Sequence, residues 1–214
     1  MSLFLTLLSG IAWSVVYVES IRVGFRDRSY AIPAAALALN IAWEILYTGY
    51  GFSHGTDVQT VVNFIWGLAD LVIVYTFLRF GRSELPAFIG RGLFAGWATL
   101  LLVMAALVQW FFVVQFDWHD AARYAAFLQN LLMSGLFIAM LVARRGPRGQ
   151  SLVIAFAKWI GTLAPTILFG VMEGSPLVLV LGTLCTVFDL TYIALLWRWR
   201  AGVPSLEPRK VAVG

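Results

Sequence analysis

The stretch that decides the fold is Leu93–Val114, LFAGWATLLLVMAALVQWFFVV, which contains no charged residue. A transmembrane helix needs about 20 consecutive apolar residues, so this run is long enough to cross a bilayer. The other apolar runs of this kind are Leu3–Ile21, Ala31–Tyr50, Val61–Leu78, Tyr124–Val142, Leu152–Met172 and Pro176–Trp197. The chain is 61% hydrophobic and 12% charged, with a mean hydropathy of +0.85, whereas soluble domains are about 45–50% apolar and about 25% charged. We therefore predict an all-α integral membrane protein, with a bundle of seven transmembrane helices over residues 1–200 and a short flexible cytoplasmic tail over residues 201–214.

The positions of the basic residues predict how the bundle is oriented. Alternate connections between the apolar runs carry 13 of the 15 Lys and Arg residues, namely Arg22, Arg26, Arg28, Arg79, Arg82, Arg91, Arg144, Arg145, Arg148, Arg198, Arg200, Arg209 and Lys210. The opposite connections carry Arg123 as their only cation. The positive-inside rule therefore predicts an N-terminus outside and a C-terminus in the cytoplasm. Because topology accounts for the cations, the net charge of +4 does not indicate nucleic-acid binding.

Three carboxyl side chains lie in the interior of the apolar runs, away from their ends: Glu44, Asp70 and Asp189. A charge near the centre of a bilayer costs about 2.5–3.5 kcal/mol on insertion scales, so such residues usually face a protein interior and have a function. No Arg or Lys lies within one helical turn of any of them along the sequence. At about 1.5 Å per residue, the three lie within roughly 10 Å of one another in depth. We expect them to share one pocket, without counter-cations.

Polar and aromatic residues recur on the same helical faces as these acids. The polar neighbours at helical spacing are Asn40, Tyr47, Asn63 and Tyr192, and the aromatic neighbours are Trp43, Trp66 and Phe188. The polar side chains are candidates to orient the carboxyl groups, and the aromatic faces are candidates to stabilise a carbocation. The alternative is structural, since polar residues also join membrane helices by hydrogen bonds and most aromatic rings in such helices serve packing.

Burial makes a carboxyl group a suitable acid for apolar substrates, because the charged form is disfavoured away from water. A protonated acid in a dry pocket can protonate an epoxide oxygen or an alkene carbon. Lys158 is the cation inside an apolar run, and we expect its stem to reach the inner interface, with binding of an anionic group as the alternative. The single Cys185 and the two histidines give no basis for a metal centre.

Three short motifs resemble the small seven-span membrane terpene cyclases of fungal meroterpenoid and indole-diterpene biosynthesis, and their bacterial relatives that act on prenylated indole compounds. The motifs are Asn40-x-x-Trp43-Glu44, Trp66-x-x-x-Asp70 and the Asp189 of the last helix. The resemblance covers nearly the whole chain. It implies a cyclisation that needs neither metal nor cofactor and begins when a terminal epoxide or olefin of a prenyl chain is protonated.

By this resemblance, Glu44 and Asp189 are the catalytic pair, and Asp70 has a supporting role. The implied partners are the bilayer, a hydrophobic, farnesylated small molecule, and an upstream prenyltransferase or epoxidase. The DDxxD and DxDD signatures of soluble terpene synthases are absent, as expected if the substrate has already lost its diphosphate. The excess of Arg over Lys favours a high-GC bacterial source and hence a bacterial cell membrane.

Two other functions stay open at this stage. A proton-coupled transporter or sensor would use the same acids as a proton relay. A carotenoid-type cyclase would carry out the same chemistry on a longer polyene. The absence of a visible pair of broken helices in inverted repeat argues against a transporter.

Overall fold

Seven long helices account for most of residues 1–202, which are the residues that the computed structural model describes. They are α1 Ser2–Asp27, α2 Ala34–His54, α3 Val58–Phe80, α4 Arg91–Gln115, α5 Trp118–Arg144, α6 Leu152–Pro165 and α7 Pro176–Arg200. A 3₁₀ turn, Gly81–Glu84, follows α3, and a π-helical segment, Thr166–Met172, continues α6. The predicted all-α class is thus confirmed for these residues. The predicted tail, apart from its first two residues, lies outside the described part of the chain.

Six of the helices are long and apolar enough to cross a membrane: α1, α3, α4, α5, α7, and α6 together with its π-helical continuation. The exception is α2, whose polar residues, Asn40 and Glu44 among them, lower its hydropathy. Because the connections between helices are short, successive helices run in opposite directions. The count of seven spans and the orientation of the termini stay predictions.

Local sequence explains where several helices begin and where α6 changes from α-helical to π-helical geometry. Asp57 caps α3 by accepting a hydrogen bond from the Thr60 backbone N–H at 2.7 Å, and Asp117 and Ser151 cap α5 and α6 in the same way. Such caps satisfy N–H groups that have no partner in the first turn. Pro165 is the last residue of α6 before the wider π-helical turns begin, as expected when a proline removes a backbone donor.

Six helices form a closed ring in the order α1–α6–α7–α5–α2–α3, and α4 packs on the outside against α2 and α5. Accordingly, the buried residues of α4 are few: Phe94, Ala98, Ala105 and Gln109. Large apolar side chains such as Leu100, Phe111 and Val187 lie on outward faces. In a membrane these faces contact lipid, so the polar residues that point inward can meet one another.

The end of the bundle at which α1 ends is held together by the guanidinium groups of its loops. Arg144 pairs with Glu84 at 2.7 Å and lies 4.4 Å above the ring of Tyr30. Arg148 donates to the backbone carbonyl of Asp27 at 3.2 Å. The loops at this end, which we predict to face the cytoplasm, therefore also hold the helix ends together.

Candidate active site

Two of the predicted acids meet in one buried hydrogen-bond network. The Asn40 amide nitrogen donates to Asp70 Oδ2 and to the Tyr17 hydroxyl oxygen, at 2.7 Å in each case. The Tyr17 hydroxyl in turn donates to Glu44 Oε1 at 3.3 Å. Each of the four residues is at most 7% exposed. Helices α1, α2 and α3 are thus joined by polar contacts around Glu44 and Asp70.

Two glutamines extend this network to α4 and α5. The Gln129 amide donates to Asn40 Oδ1 at 3.2 Å, and the Gln109 amide donates to Gln129 Oε1 at 2.8 Å. We call these six residues, Tyr17, Asn40, Glu44, Asp70, Gln109 and Gln129, the carboxyl network. Sequence reasoning missed Tyr17, Gln109 and Gln129. The signal for the glutamines was present, because an amide inside an apolar run needs a hydrogen-bond partner when buried.

The two carboxyl groups of the network lack a cation. Neither Glu44 nor Asp70 forms an ion pair with any residue of the described chain. Glu44 Oε2 and Asp70 Oδ1 also have no hydrogen-bond partner there. A buried carboxylate without a counter-charge costs several kcal/mol, so the surroundings favour a proton on at least one of the two groups.

Asp189, in contrast, has a cation, which corrects two predictions. Lys158 Nζ donates to Asp189 Oδ1 at 2.9 Å, to Oδ2 at 3.0 Å and to Ser134 Oγ at 2.7 Å. Both charged side chains are about 1% exposed. The prediction that Asp189 lacks a counter-cation is wrong, because its partner lies on a facing helix rather than nearby in sequence. The predicted reach of Lys158 to the interface is also wrong.

A cavity of about 880 Å³ lies between α1, α2, α3, α5 and α6. Most of its lining comes from the half of the bundle where α1 starts, and it also reaches Glu19 and Val153 towards the other end. Its wall is mostly apolar and includes the rings of Trp13, Trp43, Trp66, Phe127 and Phe169. The volume is within the usual range of small-molecule sites, about 300–1,000 Å³. The cavity therefore suits an apolar ligand of considerable size.

The carboxyl network adjoins this cavity behind two tryptophans. Trp43 precedes Glu44 in α2, and the ring of Trp66 stacks on the ring of Tyr17 at 5.7 Å. The Cβ position of Gly67 lies 3.5 Å from Glu44 Cβ, so a glycine next to Trp66 lets α3 pack closely against the acid. Within residues 1–202, the cavity lining contains none of the three acids.

The Lys158–Asp189 pair lies near the inner end of the same cavity. Asn130 and Thr162 line the cavity. Asn130 is four residues, or about one helical turn, from Ser134, which accepts a hydrogen bond from Lys158. Thr162 is four residues from Lys158 itself. Ser134 donates to the Asn130 carbonyl at 2.9 Å, which continues the contact along α5. Two separate polar centres thus adjoin the cavity, in place of the single pocket that we predict from depth alone.

The predicted aromatic residues Trp43 and Trp66 line the cavity and are held by hydrogen bonds. Trp43 Nε1 donates to the Ala122 carbonyl at 3.0 Å, and Trp66 Nε1 donates to Ser14 Oγ at 3.2 Å. These bonds fix the planes of two rings beside the carboxyl network. Both residues therefore occupy positions in which they can contact a bound chain.

Tyr47 and Asn63 also line the cavity, but neither contacts a carboxyl group. The Tyr47 hydroxyl has no hydrogen-bond partner in residues 1–202, and Asn63 Oδ1 accepts a bond from Gln59 at 2.6 Å. The prediction that Tyr47 orients a carboxyl group is therefore wrong in this structure. Of the predicted polar residues, Asn40 alone bonds directly to one of the acids.

The two predicted aromatic residues of α7 lie outside the cavity. Phe188 is 40% exposed, because it precedes Asp189 and is turned about 100° away from the inward-facing acid. Tyr192 is buried, its ring packs tilted against that of Phe137 with the centroids 5.2 Å apart, and its hydroxyl donates to Gln150 Oε1 at 2.8 Å. Phe188 therefore does not line the cavity, and Tyr192 does not orient the Asp189 carboxyl group by a hydrogen bond in this structure.

Sequence comparison identifies relatives of this chain. The family described as Pyr4-like transmembrane terpene cyclases matches residues 1–201. The Pyr4-family terpene cyclase mfmH of Annulohypoxylon moriforme is 33% identical over 170 residues, which cover 77% of this chain and 68% of the relative. The terpene cyclase pyr4 of Aspergillus fumigatus is 27% identical over 214 residues, which cover 91% and 85% of the two chains. No solved structure matches.

These relatives are fungal, so they give no support to the predicted bacterial membrane. They do agree with the resemblance seen in the motifs around Glu44 and Asp70. The family match covers all seven helices of the structure, including the walls of the cavity. The chain therefore belongs to the Pyr4-like transmembrane terpene cyclases, a family of membrane enzymes that cyclise terpenoids.

Proposed function

We propose that this protein protonates the terminal olefin or epoxide of a farnesylated small molecule and thereby starts a carbocationic cyclisation. The observation that carries the proposal is the pair of buried carboxyl groups, Glu44 and Asp70, which adjoin an aromatic cavity and have no cation in the described chain. The relatives support the reaction class, since their names are those of terpene cyclases.

Glu44 is the proton donor in this proposal. Tyr17 holds one of its carboxyl oxygens, and the other oxygen, Oε2, has no protein partner within residues 1–202. In so apolar a setting the neutral acid is the stable form, because nothing compensates a buried negative charge. Asp70 lies in the same network through Asn40 and supports this state, since two nearby carboxylates in a low dielectric repel each other.

The reaction balances without an external reagent. The Glu44 proton adds to the terminal alkene carbon or to the epoxide oxygen, and the electron pair of the next double bond closes a ring at the cationic carbon. Trp43 and Trp66 present π faces that stabilise the cation without forming a bond to it. Loss of a proton from the last cation to the Glu44 carboxylate ends the cascade and restores the acid. The product is an isomer of the substrate.

In this proposal Asp189 is not the proton donor and has a positioning role instead. Lys158 contacts both of its carboxyl oxygens, so both oxygens of Asp189 are engaged in the ion pair and Asp189 is not the donor. We assign it to the inner end of the cavity, where its charge and that of Lys158 fix the positions of α5, α6 and α7. The resemblance implies that both acids are essential, and in this proposal they are essential for different reasons.

The test uses membranes that contain the protein, incubated without added metal with farnesylated aromatic compounds and their terminal epoxides. We expect a product of unchanged mass with fewer double bonds. General acids contribute about 10²–10⁴-fold, so Glu44→Gln should lower turnover by about 100-fold or more. Asp120→Asn, which changes a carboxyl group in the first turn of α5, is the matched control and should retain turnover.

Full turnover by Glu44→Gln would contradict the proposed mechanism. The alternative of a proton-coupled transporter makes a different prediction, namely that sealed vesicles containing the protein change their internal pH when substrate or a proton gradient is supplied. A pH change that Glu44→Gln abolishes, without any cyclised product, would favour transport. An upstream prenyltransferase would supply the farnesyl group, and an epoxidase would supply the epoxide if that is the form protonated.

A further inference from the structure

The outer end of the cavity carries a second set of polar side chains, formed by Tyr47, His119, Arg123 and Glu173. Arg123 lines the cavity, pairs with Glu173 at 2.8 Å and lies 4.2 Å from the centre of the Phe169 ring. Its Nη2 is 3.0 Å from His119 Nε2, which accepts the bond because a guanidinium can only donate. We call these four polar residues the cavity mouth.

Tyr47 supplies the observation that points to a ligand. Its side chain lines the cavity, the residue is 7% exposed, and its hydroxyl has no hydrogen-bond partner in residues 1–202. A buried hydroxyl normally has a partner. Trp43, one turn away in α2, donates to the carbonyl of Ala122, which precedes Arg123 in α5. The same contact between α2 and α5 therefore brings Tyr47 and Arg123 to one part of the wall.

We propose that the cavity mouth binds the polar head group of the substrate and determines which head groups are accepted. This inference rests on the proposed function. If Glu44 protonates the far end of the prenyl chain, that end lies beside the carboxyl network. The head group then lies towards the end of the bundle at which α3 and α5 begin, where Tyr47 and Arg123 line the wall.

The charges of the cavity mouth define the chemical class of the head group. Glu173 balances the charge of Arg123, so the mouth offers hydrogen-bond donors without a net positive charge. The Tyr47 hydroxyl and the guanidinium N–H groups suit an uncharged head group that carries acceptor atoms such as carbonyl oxygens. A diphosphate would meet one cation already paired with a carboxylate, and a prenyl alcohol offers a single oxygen. We therefore expect the mouth to discriminate against both.

The experiment measures binding, so that it does not depend on turnover. Purified protein is titrated with a farnesylated aromatic compound bearing a ring carbonyl, with farnesol and with farnesyl diphosphate, and quenching of tryptophan fluorescence reports Kd. Tyr47→Phe and Arg123→Met should each raise Kd for the carbonyl compound about 10-fold, as expected when a ligand loses a hydrogen bond. Their Kd for farnesol should stay within about twofold.

Two further variants sharpen the test. Tyr50→Phe is the matched control, because Tyr50 stacks on Trp118 outside the cavity lining and should not change any Kd. Glu173→Gln leaves the charge of Arg123 unbalanced and should tighten the binding of farnesyl diphosphate. If Arg123→Met does not fold, comparing the Kd values of Tyr47→Phe and Tyr50→Phe for the carbonyl compound still tests the proposal.

The outcomes separate this proposal from the proposed function. If Tyr47→Phe and Arg123→Met weaken the binding of the carbonyl compound and of farnesol equally, or weaken neither, the head-group site is overturned even if the protein cyclises its substrate. If the variants weaken the binding of the carbonyl compound alone and no cyclised product forms, the site is supported and the proposed reaction is contradicted. In an active protein, the Tyr47 and Arg123 variants should raise KM more than they lower kcat.

Discussion

Replacing Lys158 by methionine should destabilise the protein strongly, because Asp189 would lose the partner that compensates it in an apolar interior. Lys158 Nζ lies 2.9 Å from Asp189 Oδ1, and the two side chains are 1% and 2% exposed. At this distance and an effective dielectric constant of about 20, the attraction between the charges is about 6 kcal/mol. Removing one partner of a buried pair usually costs about 3–5 kcal/mol, and we expect a loss in that range.

The double variant, Lys158→Met with Asp189→Leu, should in contrast be about as stable as the starting protein. With both charges removed, neither side chain is left uncompensated, and such replacements are often neutral or stabilising. We expect its free energy of unfolding to return to within about 1 kcal/mol of the starting protein. The two single variants and the double variant therefore form a double-mutant cycle with a large coupling energy.

The measurement is unfolding in mixed detergent micelles by an increasing fraction of a denaturing detergent, followed by tryptophan fluorescence. A loss of less than about 1 kcal/mol for Lys158→Met would refute the reasoning, because it would show that Asp189 does not depend on Lys158 for its stability in the interior. Turnover of the double variant is a separate readout. Restored stability with lost cyclisation would show that Asp189 also acts on the substrate.

Three further predictions follow from single contacts. Gln129→Leu removes the donor to Asn40 and should lower turnover of the farnesylated substrate several-fold while the protein stays folded. Gly170→Ala would bring a Cβ to 2.9 Å from the α7 backbone and should cost about 1–3 kcal/mol, whereas Gly135→Ala, with open space around it, should cost nothing in the same unfolding assay. Asp57→Ala should cost about 1 kcal/mol as a lost cap. Hydrogen bonds from Thr60 lower the pKa of Asp57, so the loss should appear at neutral pH and vanish as the pH falls below about 4.

The membrane helices could be predicted from the apolar runs of the sequence. The residues of α2 that face the site could be predicted as well, because they depend on spacing along one helix. Asn40 and Glu44 are four residues apart and therefore share a face, and both take part in the carboxyl network. Glu44, Asp70, Trp43 and Trp66 were identified in this way. Their presence at or next to the cavity follows from where these residue types stand in apolar runs.

The partners across helices could not be predicted, because they depend on how each helix is rotated and which helix it faces. Asp189 and Lys158 are 31 residues apart, and Tyr17 and Glu44 are 27 apart. Spacing along the chain contains no information on either pairing. For the same reason, sequence reasoning assigned Phe188 and Tyr192 to the site, although neither lines the cavity: Phe188 faces outward, and Tyr192 packs against Phe137.

The sequence by itself determined that this chain forms membrane helices, that three of the apolar runs carry an acid in their interior, and that these acids have no Arg or Lys within one turn of their own helix. The tertiary structure alone decided which acid meets a cation across a helix interface. It separates Glu44 and Asp70, which share a network without a counter-charge, from Asp189, which Lys158 neutralises. The physical reason is that hydropathy and helical period depend on one segment, whereas the charge balance of a buried group depends on every segment packed around it.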